Sequence, residues 1–131
     1  MPIIDYIETK METQELLERL CPPVRNWFID KFPDFTEPQK TAIPQILNGE
    51  HLLLCSPTGS GKTLTAFLSI IDDLVRRSLD GSLDNTVQCV YISPIKALAN
   101  DIQKNLIGPL TEIKDRFLPN RAKEIKVGLR T

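Results

Sequence analysis

Ser56-Pro57-Thr58-Gly59-Ser60-Gly61-Lys62-Thr63 decides how this chain is read. An apolar run, Leu52-Leu53-Leu54-Cys55, precedes it, and an amphipathic run from Leu64 to Arg77 follows. A buried strand therefore feeds a loop of small residues, and the loop opens a helix. That context suits a phosphate-binding loop. Backbone N–H groups of the loop and the first helical turn converge on one anion, and the positive end of the helix dipole adds to the attraction. Lys62 is placed to reach the β- and γ-phosphates, and the Thr63 hydroxyl to hold Mg²⁺. Ser56 stands where the general pattern G-x-x-x-x-G-K-[ST] has its first Gly. The competing reading is an ordinary strand–turn–helix whose glycines serve only the turn.

The chain has 131 residues, 41% hydrophobic and 25% charged. This suits one small soluble domain with its own core. Lys+Arg is 16 and Asp+Glu is 17, a net charge of −1. Such a balance argues against a strong free-standing electrostatic footprint on nucleic acid, though not against a local contact face. Cys21, Cys55 and Cys89 are far apart and form no C-x-x-C. They read as reduced thiols of a cytoplasmic protein, with Cys55 and Cys89 in buried strands. His51 is the single histidine, which disfavours a metal cluster. No apolar run is long enough to span a membrane. The start, Met1-Pro2-Ile3-Ile4-Asp5-Tyr6, lacks the basic and apolar regions of a secretory signal.

In chain order, residues 1–11 show no period and read as a loose arm. A short helix is expected from Glu12 to Leu20, broken by Cys21-Pro22-Pro23. Pro23 can open the next helix, about Val24 to Phe32. Thr36 followed by Gln39 is a capping box. The helix it starts carries Ala42, Ile43, Ile46 and Leu47 inward, contains Pro44, and stops near Asn48-Gly49. A first strand, His51–Cys55, leads into the phosphate loop. The next helix presents Leu64, Phe67, Leu68, Ile71, Leu74 and Val75 on one face. Val87 to Ile92 is nearly continuous apolar sequence, as in a strand covered on both faces. Ser93-Pro94 then caps another helix with Ala97, Leu98, Ile102 and Leu106 inward. Gly108-Pro109 should interrupt it, with Leu110 to Phe117 continuing as a shorter helix. Ile125, Val127 and Leu129 alternate with polar residues as a third strand. Strand–helix–strand–helix–strand means an α/β fold with a parallel sheet and flanking helices.

Two more constellations carry candidate chemistry. The Gln39 amide can pair with adenine at N6 and N7, or act only as the capping-box partner. Phe35 can pack on the base or enter the core. Ser93 to Leu98 is a second helix N-terminus after an apolar strand, and strand ends carry ligands in open α/β sheets. Its backbone N–H groups and the Ser93 hydroxyl can take a nucleic-acid phosphate, or the segment is simply a capped helix.

Taken together, Phe35-Thr36-Glu37-Pro38-Gln39, Ala42-Ile43-Pro44, the Ser56–Thr63 loop and Ser93-Pro94-Ile95-Lys96-Ala97-Leu98-Ala99-Asn100-Asp101 resemble superfamily 2 helicases of the DEAD/DEAH type. The large helicase-related (Lhr) group is the most similar. Ser or Ala in the first loop position is ordinary in that superfamily. The resemblance implies a RecA-like P-loop domain over residues 22–131, incomplete, preceded by an N-terminal arm and short helix over 1–21. It implies ATP and Mg²⁺ as cofactors. Gln39 matches the adenine contact. Ser56, Pro57, Thr58, Gly59, Ser60, Gly61, Lys62 and Thr63 match the phosphate loop, with Thr63 on Mg²⁺. Ser93, Pro94, Lys96 and Ala97 match a motif that touches the single-strand backbone. Arg130 and Thr131 match the start of the next such motif. The implied partner is single-stranded or partly duplex nucleic acid, DNA in preference to RNA, with no membrane.

One departure bears on activity. No D-E-x-H or D-E-x-D occurs here, so the carboxylates that complete Mg²⁺ binding and orient the attacking water have no candidate. No catalytic set is complete. The expectation is an N-terminal piece of an ATP-dependent 3′–5′ helicase or translocase. The alternative is a nucleotide-binding module or remnant without turnover; a small P-loop kinase is a weaker third, since no basic lid is present.

Overall fold

The computed structural model describes residues 6–57, 61–94 and 100–130. Its helices are α1 (Thr13–Arg19), α2 (Pro22–Lys31), α3 (Glu37–Leu47), α4 (Lys62–Asp80) and α5 (Gly108–Phe117). A π-helical turn, Gln103–Ile107, runs directly into α5. The central element is α4, which packs against α2, α3 and the π turn. Its stripe of Leu64, Phe67, Leu68, Ile71 and Val75 is buried, as the three-and-four spacing requires. Gly81, in the left-handed region at φ +82°, ends it.

Around α4 the other helices supply one continuous core. Leu16 comes from α1 and Leu20 from its C-terminal cap, Val24, Trp27 and Phe28 from α2, and Ile43 from α3. Phe28, Phe32 and Phe35 stack in series, with the Phe28 and Phe35 rings 4.1 Å apart and 12° from parallel. Phe35 therefore lies in the core rather than on an open base-binding face. Both Pro22 and Pro23 sit in the first turn of α2, where a missing N–H breaks no helical bond.

Asp72 locks α2 onto α4. It is 1% exposed, yet its carboxylate accepts from the Cys21 N–H at 2.7 Å and the Arg76 Nε at 2.8 Å. Arg76 also donates to the Arg19 carbonyl. The Cys21 N–H is one of the helix-start donors that lack an internal partner, so Asp72 caps α2 from a distant part of the chain. At the other end of α4, the Ser78 hydroxyl donates to the Lys123 carbonyl and the Lys123 N–H to the Ser78 carbonyl.

Two expectations need correction. Gly108-Pro109 does not interrupt the helix. The π turn lets the Gly108 N–H bond to Gln103 O, and the wider turn relieves the clash of the Pro109 ring with the preceding turn. A Cβ at Gly108 would lie 3.0 Å from that same carbonyl, so glycine suits the turn. Residues 87–92, expected as a covered strand, border the hollow beside α4. Tyr91 turns inward, its ring 4.6 Å from that of Phe67, while Val87, Val90 and Ile92 are exposed. Second, Cys21 is the buried cysteine, and Cys55 and Cys89 are exposed. Among the described residues no strand ladder is assigned; 51–57, 87–94 and 123–130 are irregular segments, and Leu53 is 81% exposed. The docking of residues 10 and 11 on α3 also shows that the end of the N-terminal arm is held.

Asp72→Ala should cost about 2–3 kcal/mol in urea unfolding, because a buried N–H and a guanidinium lose a charged acceptor. Asp72→Asn should cost less, since its carbonyl still accepts from Cys21. Burial, with Asp72 alongside, pushes the Cys21 thiol up to about 12. The folded state thus keeps the proton while the unfolded chain releases it near the ordinary thiol value of 9.0. Stability should fall as pH rises from about 9 towards 12. Cys21→Ala should remove that slope, and thiol reagents should label Cys21 only on unfolding.

Candidate nucleotide and nucleic-acid sites

Gly61 is where the candidate nucleotide site is assembled. Its φ of +85° lies in the left-handed region, which turns the chain into α4. Its carbonyl accepts from the Thr65 N–H at 3.0 Å, the Thr65 hydroxyl at 2.7 Å and the Gln39 Nε2 at 3.4 Å. A Cβ on Gly61 would come within 2.6 Å of Gln39 Nε2, so a side chain there displaces the Gln39 amide. Sequence reading missed Thr65; its signal was a hydroxyl four residues after a glycine at a helix start.

Gln39 is 3% exposed and completes the expected capping box. Its N–H donates to Thr36 Oγ1 at 3.4 Å, and its Oε1 accepts from the Thr36 N–H at 2.8 Å. The same side chain then reaches Gly61. The capping-box reading and the contact with the phosphate-loop end are therefore both present in one residue. Lys62, at the exposed first turn of α4, donates from Nζ to the Ser56 carbonyl at 2.6 Å. This bond closes the two ends of the loop on each other. Ser56, in the place of the first Gly, supplies a backbone acceptor, a role its side chain does not affect. Pro57 is exposed and Thr63 half-buried. Thr58, Gly59 and Ser60 lie outside the described residues.

For Mg²⁺ the protein offers the Thr63 hydroxyl, a hard oxygen donor that suits the ion. Among the described residues no group of three His, Cys, Asp or Glu side chains could hold a metal.

Ser93 and Arg130 line one hollow of about 1270 Å³, together with Phe67, Leu74, Tyr91 and Ile92 among others. The fold thus brings together two candidate nucleic-acid contacts that are far apart in sequence. Pro94 is exposed; Lys96, Ala97 and Thr131 lie outside the described residues.

The model of the DEAD/DEAH box helicases matches residues 36–124, from the capping threonine to the segment before the third expected strand. The chain belongs to the DEAD/DEAH box helicases. Within the family it is of the Lhr type. The ATP-dependent helicase Lhr-Core of Methanocaldococcus jannaschii is 42% identical over 130 residues, covering 98% of this chain and 16% of that protein. The Lhr-Core of Methanothermobacter thermautotrophicus is 52% identical over 118 residues, covering 89% of this chain and 14% of its own length. The Escherichia coli Lhr helicase/uracil glycosylase is 40% identical over 116 residues, 84% of this chain and 8% of that protein. The chain spans about 8–16% of the length of these relatives. Membership implies the RecA-like P-loop fold. Among the described residues no helix is long and apolar enough to cross a membrane.

Gly61→Ala should destabilise the chain by about 1–3 kcal/mol through backbone strain. Gly49→Ala and Gly81→Ala provide the comparison, since both sit at similar φ with nothing within 4 Å of the added Cβ. Chemical denaturation should show the larger loss for Gly61→Ala, and the excess measures the Gln39 contact.

Proposed function

We propose that this chain is the ATP-binding part of the first RecA-like domain of a nucleic-acid helicase or translocase, with a parallel sheet built from residues 51–55, 87–92 and 125–130. ATP-Mg²⁺ binds at Ser56–Thr63: Lys62 leaves the Ser56 carbonyl for the β- and γ-phosphates, and the Thr63 hydroxyl takes the ion. Ser93, Pro94, Lys96 and Ala97, with Arg130 and Thr131, track the backbone of single-stranded or partly duplex nucleic acid, DNA in preference to RNA. The protein acts in the cytoplasm.

The observation that carries the reading is the bonding of Gln39. An amide oxygen has two acceptor sites and an amide nitrogen two hydrogens. Thr36 uses one of the first, and Gly61 one of the second. One acceptor and one donor are left over, and adenine presents the complement at N6 and N7. The capping box and the adenine contact therefore need not compete. Because Gln39 is buried, its remaining capacity is offered to a base only after neighbouring side chains shift.

Gln39→Ala should weaken ATP binding by about 1–3 kcal/mol, the range of a bidentate amide–adenine pair, with a smaller effect on GTP. Gln39→Glu keeps the Thr36 bond but sets a carboxylate against the Gly61 carbonyl, so it should lose both stability and ATP preference. Titration calorimetry with both nucleotides decides the matter: equal losses for ATP and GTP sink the adenine contact.

A second reading is a nucleotide-binding module without turnover. Steady-state ATPase separates the two. Turnover in the chain that disappears in Lys62→Ala would reject the inert module.

A further inference from the structure

Pro44 lies inside α3 and has no N–H. In an unbroken helix the N–H of residue 44 would donate to the Lys40 carbonyl, four residues back. That carbonyl is thus deprived of its helical donor, and the proline ring crowds it away from the axis. The Met11 N–H, from the N-terminal arm, donates to it at 3.0 Å. The vacancy made by one proline is filled by a strap from elsewhere in the chain.

The neighbours of Met11 extend the grip. Lys10 Nζ meets Glu37 Oε2 at 2.6 Å, and the Thr13 hydroxyl donates to Asp34 Oδ1 at 2.5 Å. Asp34 Oδ1 in turn accepts from the Phe35 N–H at 2.7 Å, and Asp34 Oδ2 lies 3.6 Å from Lys40 Nζ. The Met11 side chain packs against the core. Residues 10–13 therefore hold α3 just before its cap, in its first turn and one turn further on. Thr36 and Gln39 lie between these points. The hydrogen bond from Lys10 lowers the Glu37 carboxyl, and that from Thr13 lowers the Asp34 carboxyl.

We propose that Lys10–Thr13 is a positioning element for Gln39, a strap that sets the entry of α3 and so fixes where the Gln39 amide meets Gly61 and the base. This rests on the adenine contact proposed above. Exposed ion pairs contribute little singly. The backbone bond into the acceptor vacated by Pro44, backed by the packed Met11 side chain, is the main hold.

The test uses the 131-residue chain with two variants, Pro44→Ala and removal of residues 1–11. Pro44→Ala supplies an N–H that competes with Met11 for the Lys40 carbonyl, and it also improves the helix itself. A purely structural role for residue 44 therefore predicts slower amide exchange throughout α3. The strap predicts the opposite at its entry: in Pro44→Ala the Met11, Thr36 and Gln39 amides exchange faster, and in the truncated chain the last two do. ATP affinity, measured by calorimetry, should fall about three- to tenfold in both, the size of one net hydrogen bond, with less effect on GTP. Unaltered exchange at Thr36 and Gln39 in both variants overturns the strap, whatever the nucleotide data. Faster exchange with unchanged ATP affinity overturns the positioning role. Faster exchange, with Gln39→Ala losing ATP and GTP equally, removes the adenine contact and leaves the strap.

Discussion

Three donors converge on the carbonyl of Gly61, and much of this structure depends on that convergence. Two come from Thr65, one turn into α4, and the third from Gln39 on α3. The carbonyl belongs to a residue with positive φ, which only glycine adopts at little cost. The absence of a Cβ also lets the Gln39 amide approach. The backbone conformation that opens the phosphate loop into α4 is thus the same one that seats α3 beside it. The burial of Ile43, Phe67 and Leu68 holds the two helices together, and the Gly61 junction sets where they meet.

A second constraint acts along α4. Asp72 satisfies the first N–H of α2 from inside the core, and Ser78 ties the far end of α4 to Lys123. Both are polar groups at helical positions that a hydrophobic stripe alone would not select. Each is buried and bonded, so neither leaves an unsatisfied group. One side of α4 is thereby committed to the helical core. The other carries Ile70 and Leu74, which face the hollow lined by residues 87–93 and 124–130. Exposed Val87, Val90 and Ile92 border the same space. In the proposed reading the sheet covers this side.

Proline and glycine act here through the hydrogen bonds they remove or permit, more than as breaks. Pro44 frees a carbonyl that the N-terminal arm occupies. Pro109 is absorbed by a π turn whose closing bond comes from Gly108. Pro22 and Pro23 start α2 while its cap comes from another helix. At Pro44 the backbone group left over by the proline is satisfied by a partner that local sequence does not reveal.

The sequence by itself determined the elements that rest on neighbours along the chain. The capping box Thr36–Gln39 depends on residues three apart, the stripe of α4 on a 3.6-residue period, and the opening of α4 on Gly61-Lys62-Thr63. Family membership was legible for the same reason, since its motifs are short and contiguous. Tertiary structure alone decided what those residues touch. Gln39 reaches Gly61, Asp72 caps α2, Met11 fills the place of the Pro44 N–H, and Ser93 shares a hollow with Arg130. These partners are chosen by which surfaces the core brings together, and no period or spacing encodes them. The apolar run 87–92 marks the limit. Hydrophobicity predicts that something covers it, but which side is covered, and by what, is set by packing: Phe67 against Tyr91 on one face, solvent on Val87, Val90 and Ile92.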